Sequence, residues 1–168
     1  MVKALDMQRV TRLDKDLVYE FLVVFLRLEY AAKMNEFVVP LAEGEQERKL
    51  TVLWEDVSDQ IEENWTVALR EDDELKNAAD YYDTYPPEKQ ILTTDGIEFK
   101  NTEIQNVASS LKLLLAVRRV RNNLFHGGKA SKSENVERSS ALLRNGITII
   151  LGAVQCNVDL SMHFHEDY

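Results

Sequence analysis

The apolar residues of this chain recur mostly three or four positions apart, which is the period of an α-helix. The most apolar stretch, residues 17–32, predicts a first helix that begins after Asp14 or Asp16 and ends near Phe37. Apolar side chains cover most of its circumference, so we expect this helix to be buried on several sides. Its length and its charged residues make it a poor membrane span, since a span needs about 20 predominantly apolar residues.

The same periodicity predicts helices in the rest of the chain. A second helix is expected over about 50–69, followed by a short polar helix at 72–82. A third is expected to begin near Asn101 or Thr102, and a fourth near Ser133. No stretch gives a convincing prediction of a β-strand.

The segment 83–103 is the longest one without helical periodicity. It contains two prolines and the pair Asp95-Gly96, so we expect a loop packed on the body of the protein. The sequence shows no repeat and no low-complexity tract. We therefore predict a single domain over residues 1–168, of the all-α class, folded as a compact four- to five-helix bundle.

The formal charge of −9 is distributed unevenly along the chain. Between Ile104 and Ser133 six residues are basic and none is acidic. The six are Lys112, Arg118, Arg119, Arg121, Lys129 and Lys132. A basic strip on an acidic body favours a local anionic ligand over a long duplex, which the net charge repels. The alternative is that the charges segregate by chance.

The cysteine content and the N-terminal residues bear on the compartment. One cysteine, Cys156, excludes an internal disulfide framework and favours a reducing compartment. The N-terminal residues lack the apolar core of a signal peptide. We therefore expect a cytoplasmic protein that does not contact a membrane.

The basic strip contains the stretch 117-VRRVRNNLFHGGKAS-131, which combines arginine, asparagine and histidine. Histidine can move a proton to or from an RNA hydroxyl near neutral pH, arginine holds a phosphate through two donors, and asparagine orients a hydroxyl or a phosphate oxygen. No carboxylate cluster for Mg²⁺ accompanies them, so we expect no metal and no cofactor. The structural alternative is a helix end at which His126 is favoured by the helix dipole and the arginines are solvated.

Helical projection separates two residues of this stretch. At about 100° per residue, His126 lies within about 40° of Arg119 and of Asn122, but about 140° from Arg121. Three arrangements would bring Arg121 to His126. The arginine side chain reaches around the helix, the last turn unwinds at Gly127-Gly128, or a second copy of the helix supplies the missing partner.

The segment 121-RNNLFHGGK-129 resembles the signature of the HEPN superfamily, in which an arginine and a polar residue are followed, three to five residues later, by a histidine. Two further segments agree with a plasmid- and phage-associated subgroup of that superfamily. The segment 21-FLVVFLRLEYAAKMNEF-37 is similar to its first helix, and 86-PPEKQIL-92 is similar to its Pro-Pro-x-Lys-Gln segment. The three matches together span about residues 17–130.

The resemblance implies a four- or five-helix bundle that forms a homodimer, with both Arg/His motifs at the dimer interface. It implies a metal-independent RNA endonuclease, a toxin or anti-phage effector, in which the 2′-hydroxyl attacks the adjacent phosphate and leaves a 2′,3′-cyclic phosphate. On this view His126 is the general acid or base, Arg121 stabilises the transition-state charge, and Asn122 positions the motif. RNA is then the substrate, and an antitoxin or another protein is a possible partner.

The resemblance also suggests roles for residues around the motif. Substrate contacts are expected from Arg118, Arg119, Asn123 and Lys129, with Arg119 and Lys129 on flanking phosphates. Three residues of the first helix are candidates to line the cleft behind Arg121 and His126, namely Arg27, Glu29 and Tyr30. The structural alternative for that helix is an ion pair of Glu29 with Lys33, four residues on.

Two other functions stay open from the sequence. One is a non-catalytic HEPN module that binds a partner protein or a nucleotide, and the other is a helical regulator whose basic strip binds nucleic acid without cutting it. The remaining chemistry-bearing residues favour structural roles: a core position for Trp54, Trp65 and Cys156, and a mobile tail for His163 and His165. Base stacking is a weak candidate role for Tyr81, Tyr82 and Tyr85.

Overall fold

The computed structural model describes residues 12–125 and 136–166. Within these ranges the chain forms six helices and one two-stranded hairpin. The helices are α1 Lys15–Met34, α2 Trp54–Glu71, α3 Asp73–Thr84, α4 Ser109–Phe125, α5 Val136–Gln155 and α6 Val158–His165, and the strands are β1 Lys89–Thr93 and β2 Gly96–Lys100. The mostly helical content agrees with the predicted all-α class.

Helix α1 begins at a side-chain cap and is buried on one face. The Asp14 carboxylate accepts hydrogen bonds from the backbone N–H groups of Asp16 and Leu17, at 2.8 and 3.2 Å, so Asp14 is the N-cap. The buried side chains are Phe21, Phe25, Leu28, Ala31 and Ala32. The expected burial on several sides is wrong, because apolar residues on the opposite face are exposed.

Helices α2 and α3 follow the sequence pattern closely. The apolar face of α2 is buried, including Trp54 and Trp65 in their expected core positions. The helix begins at Trp54 rather than near residue 50, because Val52 is extended and pairs with Val38 in an isolated bridge. The carboxylate of Asp72 caps α3 by accepting from the N–H groups of Glu74 and Leu75, at 2.9 and 3.0 Å.

The segment expected to be a loop contains the antiparallel hairpin β1–β2, so the prediction of no strand is wrong. Its register pairs Lys89 with Lys100 and Thr93 with Gly96. Gly96 has φ 118°, which a residue with a side chain rarely adopts, and this explains the Asp-Gly pair at the turn. The expected start of α4 near residue 101 is also wrong, because β2 ends at Lys100 and residues 101–108 are not helical.

Helix α4 begins at Ser109, where α2 supplies the cap. The Glu62 carboxylate accepts from the Ser110 N–H at 3.2 Å and from the Ser109 hydroxyl at 3.1 Å, and it also accepts from the Ser110 hydroxyl. A negative charge at this end of a helix is favourable. The Ser58 and Ser110 hydroxyls, both buried, lie 2.7 Å apart and tie the same two helices together.

Helix α5 is central and packs against α1, α3, α4 and α6. Two glycines allow the close approach. A Cβ at Gly146 would lie 2.8 Å from the Phe21 ring and from the Tyr82 hydroxyl, and a Cβ at Gly152 would lie 2.7 Å from Leu75. No single described helix is long and apolar enough to cross a membrane, although α5 and α6, bent by 120° at their junction, meet the length and composition criteria when joined.

Helix α6 occupies the stretch that was expected to be a mobile tail, so that expectation is wrong for residues 158–165. Leu160 and Phe164 are buried in the core, and the Asn157 side chain caps the helix by accepting from the Leu160 N–H at 2.8 Å. The Arg27 side chain binds the other end, donating to the carbonyls of Phe164 at 2.7 Å and of Glu166 at 2.5 Å. An arginine on unpaired carbonyls stabilises a helix C-terminus.

Candidate functional site

Helix α4 presents two sides with different chemistry. Its predicted apolar stripe, Leu113, Val117 and Val120, is buried in the core. Its polar side carries four residues that the sequence assigns to the site. Arg118 is exposed, and Arg119, Asn122 and Asn123 are half-buried. The four lie on one wall of a single cleft.

The cleft has a volume of about 730 Å³ and lies between α4, the start of β1 and the segment 103–105. Its other lining residues are Lys89, Gln90, Glu103, Ile104, Gln105 and Leu115. Three cations and one carboxylate therefore face the cleft, among amides that can donate or accept. Such a lining suits an anionic ligand with hydroxyl groups.

Arg119 is held in place by the backbone that follows β2. Its Nη1 donates to the Thr102 carbonyl at 2.5 Å, which leaves its other donors for a ligand. Partial burial lowers the pKa of Arg119 below its usual value, but an arginine remains charged at neutral pH. The residue also borders a second, smaller cleft of about 390 Å³, lined in part by Lys112.

The two asparagines connect the cleft to its surroundings. The Asn123 side chain donates to the Glu88 carbonyl at 2.9 Å and so ties α4 to the residue that precedes β1. The Asn122 side chain accepts from Nη1 of Arg121 at 3.1 Å. Asn122 therefore faces the cleft and also holds the neighbouring arginine.

Arg121 lies on the α1 side of α4, about 100° around the helix from Asn122. Its Nη2 is 3.9 Å from the Glu29 carboxylate, and its guanidinium carbon is 5.5 Å from the centre of the Phe25 ring. The side chains of Arg121 and Glu29 are 30% and 21% exposed. Arg121 is thus half-buried beside an anion and an aromatic ring, and it meets the cleft residues through Asn122.

The three candidates on α1 divide between two places. Glu29 lies beside Arg121, so these two predicted residues are brought together. Arg27 is two residues away, about 200° around the helix. It binds the carbonyls at the end of α6 and lies over the Tyr30 ring, 5.7 Å from its centre.

Two predicted site residues, His126 and Lys129, lie outside the described residues. The description of α4 ends at Phe125, immediately before His126. The relation between His126 and Arg121 thus stays a prediction from the sequence.

The opposite wall of the cleft contains residues that the sequence analysis missed. Lys89 and Gln90 belong to the hairpin, and Glu103 and Gln105, joined by a side-chain hydrogen bond, belong to the segment after it. The signal that could have located this wall is Asp95-Gly96 between two short apolar stretches, which is typical of a hairpin.

The other chemistry-bearing residues have structural surroundings. Cys156 is buried, and burial raises the pKa of its thiol. Tyr82 is buried as well, whereas the rings of Tyr81 and Tyr85 lie against each other at 5.0 Å. Within residues 12–125 and 136–166, no group of three or more His, Cys, Asp or Glu side chains is placed to hold a metal ion.

Comparison with known proteins does not assign this chain to a family. No protein-family model, no curated protein and no solved structure matches this chain. The chemistry of the cleft residues therefore carries the functional interpretation.

Proposed function

We propose that this protein is a metal-independent RNA endonuclease of the HEPN type, a toxin or anti-phage effector that works as a homodimer with its active site at the dimer interface. The observation that supports this most is the cleft on α4. Four residues of the predicted site, Arg118, Arg119, Asn122 and Asn123, line it together. His126 follows Phe125, the last described residue of that helix, in the sequence.

The lining of the cleft suits a short piece of RNA. Arg118, Arg119 and Lys89 supply positive charge for phosphates, and an arginine holds a phosphate through two parallel donors. The amides of Asn122 and Asn123 can orient hydroxyls or phosphate oxygens. A volume of about 730 Å³ has room for a small number of nucleotides, and the formal charge of −9 opposes a long duplex.

The proposed reaction needs a proton carrier and a stabilised phosphate, but no metal. The 2′-oxygen of RNA attacks the adjacent phosphorus, a P–O2′ bond forms and the P–O5′ bond breaks. A base removes the proton of the 2′-hydroxyl and an acid delivers a proton to the departing 5′-oxygen, which is the chemistry assigned to His126. DNA lacks the 2′-hydroxyl and is not a substrate.

Arg121 stabilises the charge that accumulates on the phosphate in this scheme. Its contacts suit such a role, since Glu29 and Asn122 orient the guanidinium from two directions. The dimer accounts for how Arg121 and His126 reach the same phosphate. A two-fold axis would bring Arg121 and His126 of two copies to one phosphate, although helical projection of the sequence separates them by about 140° in one copy.

The test is cleavage of total RNA by purified protein in EDTA, with the product ends read chemically. We expect products that end in a 2′,3′-cyclic phosphate, and loss of cleavage in Arg121→Ala and in His126→Ala. The matched control is Arg144→Ala, which removes an exposed arginine of α5 and leaves cleavage unchanged. Circular dichroism of each variant checks that the fold is retained.

Two results would contradict the proposal. Cleavage that requires Mg²⁺, or that persists in His126→Ala, would exclude the assigned chemistry. Intact RNA from a folded protein would favour the alternative, a non-catalytic HEPN module that binds a partner protein or a nucleotide. In that case a labelled nucleotide or oligonucleotide would bind the wild type and bind Arg118→Ala more weakly, without being cut.

A further inference from the structure

Helix α1 has a second apolar face, most of which is exposed among the residues that the structure describes. On the side opposite Phe21, Tyr19, Val23, Leu26 and Tyr30 follow spacings of four, three and four. At about 100° per residue these four lie within an arc of about 60°. Tyr19 is 71% exposed, Leu26 50% and Val23 37%. We refer to these four residues as the α1 seam.

The spacing of the α1 seam is that of a helix pair. Single exposed apolar residues are normal on a protein surface. A row at alternating steps of four and three, however, is the pattern by which one helix packs along another. The buried face of α1 already accounts for its packing in the monomer. Within residues 12–125 and 136–166, three of the four seam side chains are exposed. The seam therefore indicates a further helix that packs along α1.

The charges at the two ends of the seam indicate which helix fits. Asp16 lies three residues before Tyr19, and Lys33 lies three residues after Tyr30. If a second α1 runs antiparallel, one register places Tyr19 against Tyr30 of the second copy. The same register places Asp16 of each copy against Lys33 of the other, so a negative and a positive charge meet at each end of the helix pair. In a parallel pair Asp16 would face Asp16 and Lys33 would face Lys33, which is unfavourable.

We propose that the α1 seam is a homodimer interface, in which α1 pairs antiparallel with α1 of a second copy. The two-fold axis passes midway between Val23 and Leu26, and these two residues face each other across it. The pairing deepens the dimer of the proposed function and in that sense rests on it. Its evidence is nevertheless the surface of α1, which is independent of RNA chemistry.

The pairing has a consequence for the site. Glu29, which holds Arg121, lies about 90° from the centre of the seam. A two-fold axis perpendicular to the paired helices keeps the two Glu29 residues on the same side of the pair. Nine residues separate them along the axis, which is about 14 Å at about 1.5 Å per residue. Both Arg121 side chains then approach one face of the dimer.

The first experiment measures molecular mass by light scattering across a range of protein concentrations. The wild type is expected to be a dimer and Leu26→Glu a monomer. The variant places a charge against Val23 of the other copy, and the symmetry repeats this contact on the other side of the two-fold axis. The matched control is Leu92→Glu. Leu92 is 82% exposed in β1, away from α1, so that variant keeps the wild-type mass.

The second experiment tests the antiparallel register by exchanging charges. Asp16→Lys and Lys33→Asp each place like charges against each other at both ends, and each is expected to raise the dimer dissociation constant about tenfold. The double variant Asp16→Lys, Lys33→Asp restores opposite charges and wild-type affinity. A parallel pair would give the same dissociation constant for all four proteins and would overturn the register.

Different results would overturn the α1 pairing and the nuclease proposal. A wild type that is monomeric at every concentration, or a dimer that survives Leu26→Glu, would overturn the α1 pairing. The seam would then take another occupant, either a segment of this chain or a different protein. RNA cleavage is measured on the same preparations. A monomer that cuts RNA contradicts the pairing and the shared active site, but not the RNA-cleaving activity. A dimer that does not cut RNA contradicts only the nuclease.

Discussion

Arg121 of α4 and Glu29 of α1 form an ion pair, with Nη2 3.9 Å from Oε2. The pair joins the helix that carries the cleft to the helix that carries the exposed seam. Both side chains keep part of their surface in water, and ion pairs of this kind add little to stability. Its main effect is to orient the guanidinium.

Glu29→Gln tests this effect. The change removes the charge but keeps the shape, so the free energy of unfolding should fall by less than about 1 kcal/mol. RNA cleavage should fall about tenfold, because a guanidinium that is no longer oriented stabilises the phosphate less well. Urea denaturation and initial cleavage rates measure the two quantities.

The control for Glu29→Gln is Glu45→Gln. Glu45 pairs with Arg48 at 2.7 Å, with similar exposure, in a loop away from the cleft. That variant should leave the cleavage rate unchanged. Equal rates for Glu29→Gln and the wild type would show that Glu29 does not orient Arg121 for catalysis.

Arg118→Ala should weaken RNA binding in a way that depends on salt. Arg118 is exposed and lines the cleft, so removing it deletes about one phosphate contact. The slope of log affinity against log salt should become shallower by roughly 0.7–0.9. Binding titrations of a short labelled RNA at several salt concentrations measure it. The control Arg144→Ala, which removes another exposed helical arginine, should keep the wild-type slope. A wild-type slope for Arg118→Ala would show that Arg118 does not contact the RNA.

Gly146→Ala should destabilise the fold although alanine favours helices. The added Cβ would lie 2.8 Å from the Phe21 ring and from the Tyr82 hydroxyl, so a buried side chain must move. Overpacking costs about 1–3 kcal/mol, and the gain in helix propensity offsets about 1 kcal/mol of it. Thermal unfolding should show a lower Tm than for Arg144→Ala, which changes the same helix at an exposed position. An unchanged Tm would mean that α5 shifts to accommodate the methyl group without a loss of stability.

Tyr82→Phe should alter the pH dependence of stability. The buried hydroxyl donates to the Leu142 carbonyl at 2.8 Å, and burial raises the pKa of Tyr82 well above its usual value. The unfolded chain loses this proton near pH 10 while the folded protein keeps it. Stability that is fully present below about pH 10 is therefore lost as pH rises, by up to about 1.4 kcal/mol per pH unit.

The phenylalanine variant lacks this alkaline loss. It should be less stable than the wild type by about 1 kcal/mol at pH 7, because it lacks the hydrogen bond. The two stabilities should become equal near about pH 11. Urea denaturation of both proteins between pH 7 and pH 11 measures the difference, in which the other titrating groups cancel. A constant difference would mean that Tyr82 ionises alike in both states.

The parts of the fold that could be predicted are those with local causes. The periodicity of α1 and α2 and the cap at Asp14 depend on neighbouring residues, and the structure agrees with them. The start of α4 depends on Glu62, a residue 47 positions away from Ser109, and no local pattern records such a cap. The hairpin was missed because two prolines just before it favoured a loop.

The same distinction holds for the candidate site. Helical projection grouped Arg119 with Asn122, and both line the cleft. Lys89 on the opposite wall could not be predicted without the hairpin. Likewise, the contact of Arg27 with α6 follows from a helix in a stretch whose composition suggested a tail.

The packing of α1 also constrains how the protein is made. Its buried face packs against α5 and α6, and the hydrogen bond from Arg27 to Phe164 joins residues 137 positions apart. At about 5–20 residues per second, a ribosome completes α1 several seconds or more before α5 exists. Both apolar faces of α1 are then open to water. This exposed surface favours aggregation until translation delivers the helices that cover one of the two faces.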